Sequence, residues 1–252
     1  MKLSIIIPAY NEEKYIATTL HKIKQAVQEN NIEPQDWELI VCDNNSVDKT
    51  AQIAKKFGAI VIHEPINQIS RARNTGASIA KGDWLLFIDA DTYPNTGLMH
   101  EIFTITNDDS YIGCGATVKV AGGTFFNRAR MERLNPLLRL LKICGGAFLL
   151  CKTDAFRAID GFSLTLYAYE EIDLIKRLKK YGKTVHKKFT VLHKNPIITS
   201  GRKGDYTFPS MLTLLVSNTV APFLYLFREI LPKKVIHLIS KKMLGYWYTD
   251  SR

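Results

Sequence analysis

The stretch "WLLFIDADT", residues 84–92, decides the fold because an apolar run of strand length ends abruptly in two carboxylates, Asp89 and Asp91. Uninterrupted apolar runs are typical of strands in parallel sheets, which helices cover on both faces. Side chains alternate across a strand, so we expect Asp89 and Asp91 to share one face and Ala90 to point away. Two neighbouring carboxylates repel unless a cation lies between them, so the pair predicts a site for a hard divalent cation.

The same alternation of strand and helix recurs along the N-terminal half. The apolar runs "LSIII", "WELIVC" and "AIVI" precede segments of helical period at 12–29, 48–57 and 69–80. This order is typical of βαβ units and predicts the α/β class, with a mostly parallel central sheet flanked by helices. In such sheets ligands bind beyond the carboxyl ends of the strands, so we expect the polar segments that follow the four strands to share one edge.

The C-terminal half has a looser pattern. "YIGCGATVKV" and "GGAFLLC" predict two further strands, 126–142 predicts a basic amphipathic helix, and 168–181 predicts a helix that ends at Gly182. The uncharged segment Tyr206–Phe227 is long enough to span a bilayer, but Pro209 and Pro222 interrupt it. A spanning helix, a surface-lying anchor and a soluble packed helix all remain open, and 206–252 is a candidate for peripheral membrane contact.

Composition and charge exclude several classes of protein. The chain has 252 residues, of which 46% are hydrophobic, which excludes a disordered or fibrous protein. Residues 1–100 carry 10 Lys and Arg against 12 Asp and Glu, whereas the remainder carries 24 against 12. A basic C-terminal part fits an anionic partner or a solvated basic face, but no nucleic-acid-binding module is recognisable, so no nucleic-acid partner is expected.

The four cysteines have no metal-binding spacing. Cys42, Cys114, Cys144 and Cys151 form no Cys-x-x-Cys pair, and Cys42 and Cys151 lie within apolar runs. We therefore expect a reduced, cytoplasmic protein, with the inner face of a membrane as a possible site of contact.

Five ordered segments resemble the family 2 glycosyltransferases, an inverting group with the GT-A fold. They are "SIIIPAYNEE", "VCDNNSVDKT", "RARNTGASIAKGDWLLFIDADT", "GAFLLCKTDAFRAIDGF" and "YEEIDLIKRLKKYGK". The resemblance covers residues 3–203 and implies a GT-A domain over 1–203. Within it, 1–110 would form the nucleotide-sugar-binding half and 111–203 the acceptor-side half, followed by a hydrophobic and basic helical extension over 204–252.

The resemblance implies a set of nucleotide contacts. The loop that includes Pro8, Ala9, Tyr10 and Glu12 would wrap the nucleoside, and Asp43 would contact the base. Arg71 and Asp89 would lie near the nucleotide, and Arg202 would offer a planar fork for a phosphate. For Arg71 and Arg73, a solvated helix face is the alternative.

The resemblance also implies a metal and a catalytic base. Asp89 and Asp91 would hold Mg²⁺ or Mn²⁺, with His193 either a third ligand or a surface histidine. Glu171 matches the position of the base and is one methylene longer than the family's usual Asp, so Glu170 is the alternative. The basic region 183–203 would act as a flexible lid over the donor.

Together these features predict an inverting transferase that moves a sugar from a nucleotide-diphosphate sugar, expected to be a UDP-sugar, to a glycan, lipid-linked or other hydroxyl acceptor. The alternative is a catalytically silent protein that binds nucleotide sugars, which the Glu at an expected Asp position motivates.

Overall fold

A computed structural model describes residues 1–122, 125–167 and 169–201 of the chain. Arg202 and the whole 204–252 extension, including 206–227, lie outside the described residues. The strands are β1 Leu3–Ala9, β2 Trp37–Asp43, β3 Ile60–His63, β4 Trp84–Ile88, β5 Thr92–Tyr93, β6 Tyr111–Ala121, β7 Phe148–Lys152 and β8 Lys188–Ser200. The α-helices are α1 Ile16–Glu29, α2 Thr50–Lys56, α3 Ile69–Ser78, α4 Thr96–Thr106, α5 Phe125–Leu141, α6 Thr153–Ala158 and α7 Glu170–Thr184.

The eight strands form one sheet in the order β3-β2-β1-β4-β7-β6-β8-β5. β3, β2, β1 and β4 run parallel, as do β6 and β8, whereas β4 with β7, β7 with β6, and β8 with β5 are antiparallel. Because the first four strands are parallel, their carboxyl ends meet at one edge, as expected. β4 and β7 join the two halves of the chain within this single sheet, and the domain boundaries remain a prediction.

Helices cover both faces of the sheet because alternate side chains of each strand point to opposite faces. On one face Ile5 and Ile7 of β1 belong to the same apolar cluster as Leu20 of α1. On the other face Ile6 belongs to a cluster with Phe87 of β4 and residues of α7. Burial on both sides explains why these strands read as continuous apolar runs.

The predicted bounds of two helices were wrong. The first helix begins at Ile16 rather than at residue 12, because residues 10–15 form the polar loop after β1. The last begins at Glu170 and continues past Gly182 to Thr184. A Cβ at Gly182 would lie 2.7 Å from the Lys187 carbonyl oxygen and 3.1 Å from Ile112 Cγ2. Close packing, not helix termination, explains this glycine.

The predicted lid was also wrong for most of its length. Residues 188–200 form β8, which pairs with β6 on one side and with β5 on the other. β6 pairs with residues 188–192 and 197–200 of β8, and β5 pairs with residues 198–199, so these backbone hydrogen bonds would have to break for β8 to move. Among the described helices, none is long and apolar enough to cross a membrane.

Candidate active site

The carboxyl ends of β1, β2 and β3 form the first part of the site. Pro8 and Ala9 lie buried within β1, and Ala9 is level with Asp43, the last residue of β2. Asp43 Oδ1 accepts a hydrogen bond of 3.2 Å from the Ser46 backbone N–H, and its Oδ2 lies 3.4 Å from His63 Nδ1. The backbone and the imidazole therefore hold this buried carboxylate at the sheet edge.

The loop after β1 is fastened to the loop after β2. Asn11 has a left-handed backbone, with φ of 52°, and its N–H donates to Ser46 Oγ at 3.0 Å. The N–H of Glu12, a buried residue, donates to Thr50 Oγ1 at 2.7 Å. Tyr10 is half-buried between these anchored positions and β1. These bonds fix the backbone of the predicted nucleoside loop beside Asp43.

The two acids after β4 lie in a turn rather than in the strand. β4 ends at Ile88, and the Asp89 carbonyl accepts the Thr92 N–H at 3.0 Å, so the prediction that Asp89 and Asp91 share one face of a strand was wrong. Asp91 is buried; its Oδ2 accepts a 2.6 Å hydrogen bond from Ser200 Oγ, and its carbonyl accepts the Ser200 N–H at 3.1 Å. Asp89 is only partly buried. The turn thus gives the two carboxylates different environments, with Asp91 fixed by the end of β8.

The donor chemistry of Asp89 and Asp91 fits a hard divalent cation, since Mg²⁺ is typically held by one or two carboxylates together with substrate phosphates. His193 is not brought to them: no group of three or more His, Cys, Asp or Glu side chains within the described ranges could hold a metal ion. Its side chain is exposed and lines a cavity of about 340 Å³ between β6, β8 and α5. The assignment of a metal to the two aspartates stays a prediction.

Arg73 connects Asp89, in the turn after β4, with Glu170, the first residue of α7. Its Nη1 donates to Glu170 Oε1 at 2.8 Å, and its Nη2 donates to Asp89 Oδ1 at 3.1 Å and to the Gly146 carbonyl at 2.9 Å. The guanidinium carbon lies 5.1 Å from the centre of the Phe162 ring, and the side chain is only 2% exposed. A solvated helix face is therefore wrong for Arg73.

Glu171 lies next to this network, and its carboxyl has a shifted pKa. Burial, followed by the negative charge of Glu170, raises the pKa of the Glu171 carboxyl to about 8. Burial lowers the pKa of Arg73, but Asp89, Glu170 and Glu171 outweigh it, so the net pKa is raised and the guanidinium stays charged. Tyr169, which precedes the pair, has a left-handed backbone with φ of 59°. A strained residue at such a position is typical of functional sites.

Asn74 of α3 and Gln68, which directly precedes the helix, also bind the loop of residues 162–166. Asn74 Oδ1 accepts the Phe162 N–H at 2.9 Å, and Asn74 Nδ2 donates to the Phe162 carbonyl at 2.9 Å. Gln68 Nε2 donates to the carbonyls of Leu164 at 3.0 Å and Leu166 at 3.1 Å. Arg71, on the same helix, is half-buried, and its predicted nucleotide contact stays a prediction.

Three contributions to the site were not predicted from the sequence. Arg73 links Asp89 to Glu170, His63 lies beside Asp43, and Ser200 donates to Asp91. A signal for Arg73 existed, because Gly76 and Ala77 are three and four residues away and small residues mark the face of α3 that packs on the sheet. His63 and Ser200 carried no local signal, because their partners lie 20 and 109 positions away in the sequence.

The four cysteines are all free and buried, as the sequence indicated for Cys42 and Cys151. Burial raises the pKa of the Cys42 thiol to about 12. These thiols are core residues rather than metal ligands or nucleophiles.

Comparison with known sequences finds one matching family model. The model of glycosyl transferase family 2 matches residues 4–165. An uncharacterised glycosyltransferase of Haemophilus influenzae is 28% identical over 186 residues, which are 70% of this chain and 61% of that protein. TarS of Staphylococcus aureus, a poly(ribitol-phosphate) beta-N-acetylglucosaminyltransferase, is 31% identical over 102 residues, which are 38% of this chain and 17% of TarS. The chain thus spans about three fifths of the first relative and about a sixth of the second.

Solved structures match over nearly the whole chain. The structure of TarS residues 1–349 with UDP-GlcNAc matches with a TM-score of 0.63 and 19% identity, covering 100% of this chain and 74% of that one. The mannosyltransferase PcManGT of Pyrobaculum calidifontis, solved with GDP-Man and Mn²⁺, matches with a TM-score of 0.64 and 16% identity, covering 95% and 69%. At these identities the likeness shows a common fold, and the fold class predicted from the sequence is confirmed.

Proposed function

The chain belongs to glycosyl transferase family 2, and from this premise we propose that it transfers a sugar from a nucleotide-diphosphate sugar to an acceptor hydroxyl with inversion at the anomeric carbon. The observation that carries the proposal is the buried network in which Arg73 joins Asp89, at the donor edge, to Glu170, beside Glu171. A protein that only binds nucleotide sugars would need only the residues that contact the donor. A transferase also needs a base for the acceptor, held at a fixed position relative to the donor.

We propose UDP as the nucleotide. Asp43 stands at the edge where the base of a nucleotide would lie, and a carboxylate accepts a hydrogen bond from the imide N–H of uracil. Tyr10 and Glu12, in the loop whose backbone is held at Asn11 and Glu12, would flank the nucleoside together with Pro8 and Ala9. The relatives support this choice, since TarS has been solved with UDP-GlcNAc.

We propose that Asp89 and Asp91 hold Mg²⁺ or Mn²⁺. A bound divalent cation would supply charge stabilisation to the leaving diphosphate. Ser200 and Thr92 contribute to this site by orienting Asp91, since their hydroxyls donate to its two carboxylate oxygens. PcManGT, solved with Mn²⁺, supports the choice of metal.

Glu171 is the proposed base. The acceptor O–H gives its proton to the Glu171 carboxylate, while the acceptor oxygen forms a bond to the anomeric carbon. The bond from that carbon to the diphosphate oxygen breaks at the same time, and its electron pair leaves with the diphosphate. Glu170 is the less suitable base, because its carboxylate is engaged by Arg73 at 2.8 Å.

We propose that the acceptor is a hydroxyl of a glycan or of a lipid-linked molecule, and that the protein works in the cytoplasm, with peripheral membrane contact through 206–252. TarS, a poly(ribitol-phosphate) beta-N-acetylglucosaminyltransferase, supports a polyol acceptor.

A screen of UDP-sugars with Mn²⁺ tests the proposal. Thermal shifts identify the donor, and release of UDP is then measured with a panel of hydroxyl acceptors and with water. We expect Asp91→Ala to abolish turnover while the melting curve stays cooperative. Undiminished metal-dependent transfer by Asp91→Ala would contradict the metal assignment, and tight UDP binding without turnover on any acceptor would favour the catalytically silent protein.

A further inference from the structure

The helix α5 exposes a continuous apolar stripe. Leu134, Leu137, Leu140 and Leu141 are 36%, 50%, 78% and 50% exposed. At about 100° per residue these four positions occupy roughly a third of the helix circumference. Exposed leucines clustered in this way mark a surface that binds something, whereas single exposed leucines are ordinary.

The stripe faces away from the sheet. Asn135 Oδ1 accepts the Val118 N–H at 3.0 Å, and Asn135 Nδ2 donates to the Val118 carbonyl at 2.9 Å, so this residue fixes the inner side of α5 against β6. Helical spacing places Asn135 on the side of α5 opposite Leu137. The leucines are thus directed outward, while the hydrogen bonds of Asn135 attach α5 to β6.

A group of lysines adjoins the end of the stripe. Lys179 Nζ donates to the Leu141 carbonyl at 3.1 Å, which joins α7 to the end of α5. Lys176 and Lys183 lie three and four residues from Lys179, on the same face of α7, and Lys142 follows Leu141 directly. Burial, followed by the positive charges of Lys142, Lys183 and Lys176, lowers the pKa of Lys179. Positive charge is therefore concentrated beside the exposed leucines.

We propose that this leucine–lysine surface, made of Leu134, Leu137, Leu140, Leu141, Lys142, Lys176, Lys179 and Lys183, binds the surface of an anionic lipid bilayer. A bilayer satisfies both halves of the surface, because its acyl region accepts leucines and its phosphates attract the lysines. A soluble polyanion would engage the lysines and leave the leucines in water. The charge complementarity therefore selects lipid as the occupant.

The position of the leucine–lysine surface determines which side of the protein would face the bilayer. α5 ends at Leu141, and Gly146, whose carbonyl binds Arg73, follows five residues later. Binding to a bilayer would hold the acceptor side of the candidate site near the membrane surface. The inference involves residues other than 206–252 and does not rest on the proposed function, since lipid binding is measured without turnover.

Vesicle flotation with the full chain tests the inference. The vesicles contain phosphatidylcholine with or without about a third phosphatidylglycerol, at low and high salt. We expect binding to the anionic vesicles only, weakened by salt. L140E/L141E should lower the partition coefficient at least tenfold, because two charges replace leucines at the interface. K142Q/K176Q/K183Q should lower it by roughly fivefold for each charge removed.

Two matched variants are the controls. Ile60→Glu changes a 45% exposed apolar residue on β3, which lies at the end of the sheet far from β6 and the helix α5. K24Q/K55Q/K56Q removes three exposed lysines from α1 and α2. Both should bind vesicles as the unaltered chain does, and circular dichroism checks that every variant is folded. Absence of binding to anionic vesicles would overturn the inference, as would binding that both surface variants retain. The inference would also be overturned if the protein bound soluble polyphosphate but not vesicles, and if L140E/L141E still bound the polyphosphate.

Discussion

Arg73 and Glu170 form a buried ion pair, with Nη1 2.8 Å from Oε1 and side chains only 2% and 6% exposed. The pair joins α3 to the first turn of α7 across 97 positions of the sequence. Because Arg73 also binds Asp89 and the Gly146 carbonyl, one guanidinium fixes the relative positions of the donor edge and the proposed base.

Replacing Arg73 should destabilise the fold and abolish transfer. Arg73→Ala leaves Glu170 buried without its cation, which costs about 3–5 kcal/mol for a buried pair broken on one side. Urea unfolding measures the loss, and Arg73→Lys should recover only part of it because an ammonium cannot donate in a planar fork. Arg71→Ala is the control: it should alter donor affinity rather than stability. Equal unfolding free energies for the two alanine variants would contradict the bracing role.

Gly146 should tolerate no side chain, whereas its neighbour should. A methyl group at Gly146 would lie 3.0 Å from Arg73 Nη2 and 3.7 Å from the Glu171 carboxyl, but at Gly145 it would meet nothing within 4 Å. We expect Gly146→Ala to lower kcat by on the order of tenfold to a hundredfold through displacement of these groups. Gly145→Ala should retain the unaltered rate. Steady-state kinetics of the two variants, with equal folding verified by circular dichroism, makes the comparison.

Transfer should rise with pH. The pKa of Glu171 is raised to about 8, so in the free protein the carboxyl is mostly protonated at pH 7 and becomes a base only as the pH increases. The pH profile of kcat/KM should therefore have an ascending limb near 8, which should be absent from the much slower residual transfer by Glu171→Gln. A flat profile between pH 6 and 9 would contradict the assignment.

Stability should change in the opposite direction. The folded-state pKa of about 8 lies above the unfolded value of 4.5, so between these pH values the folded protein keeps a proton that the unfolded chain releases. Stability therefore declines from about pH 4.5 to about pH 8 and levels off above it. At pH 9 the free energy of unfolding of Glu171→Gln should exceed that of the unaltered chain. The difference should shrink as the pH is lowered toward 4. Thermal melting at the two pH values measures the difference.

Ser200 should affect the affinity of the proposed metal site without itself being a metal ligand. Its hydroxyl donates to Asp91 Oδ2 at 2.6 Å, and loss of such an orienting bond typically weakens metal binding about 10–100-fold. Ser200→Ala should therefore raise the Mn²⁺ concentration needed for half-maximal rate, with kcat at saturating Mn²⁺ affected less. Ser163→Ala, in the acceptor-side loop, is a suitable control. An unchanged Mn²⁺ requirement would show that Ser200 does not orient a ligand.

The sequence predicted the parts of the fold that depend on local pattern. "WLLFI" forms β4 from Trp84 to Ile88, and the polar ends of the parallel strands meet at one edge because topology requires it. The same pattern could not show that Asp89 and Asp91 lie in a turn, since periodicity does not mark where a strand ends. β8 was missed because "HKNP" interrupts its apolar pattern, although pairing with two neighbours keeps it in the sheet.

The site was less predictable because its geometry depends on distant contacts. The motifs indicated Asp43, Asp89 and Glu171, but the role of Arg73 arises from partners 16, 73 and 97 positions away. A charged residue on a short helix looks the same in sequence whether it faces water or a buried carboxylate. Only the packing of α3 on the sheet distinguishes the two.

Transfer and donor binding by Glu171→Gln test the central claim most directly. UDP binding in the presence of Mn²⁺ is measured by calorimetry, and sugar transfer is measured in single turnovers with the donor that the thermal-shift screen identifies. The proposed mechanism predicts UDP affinity close to that of the unaltered chain and transfer slower by about 10²–10⁴-fold, the usual contribution of a general base. Transfer at the unaltered rate by Glu171→Gln would contradict it.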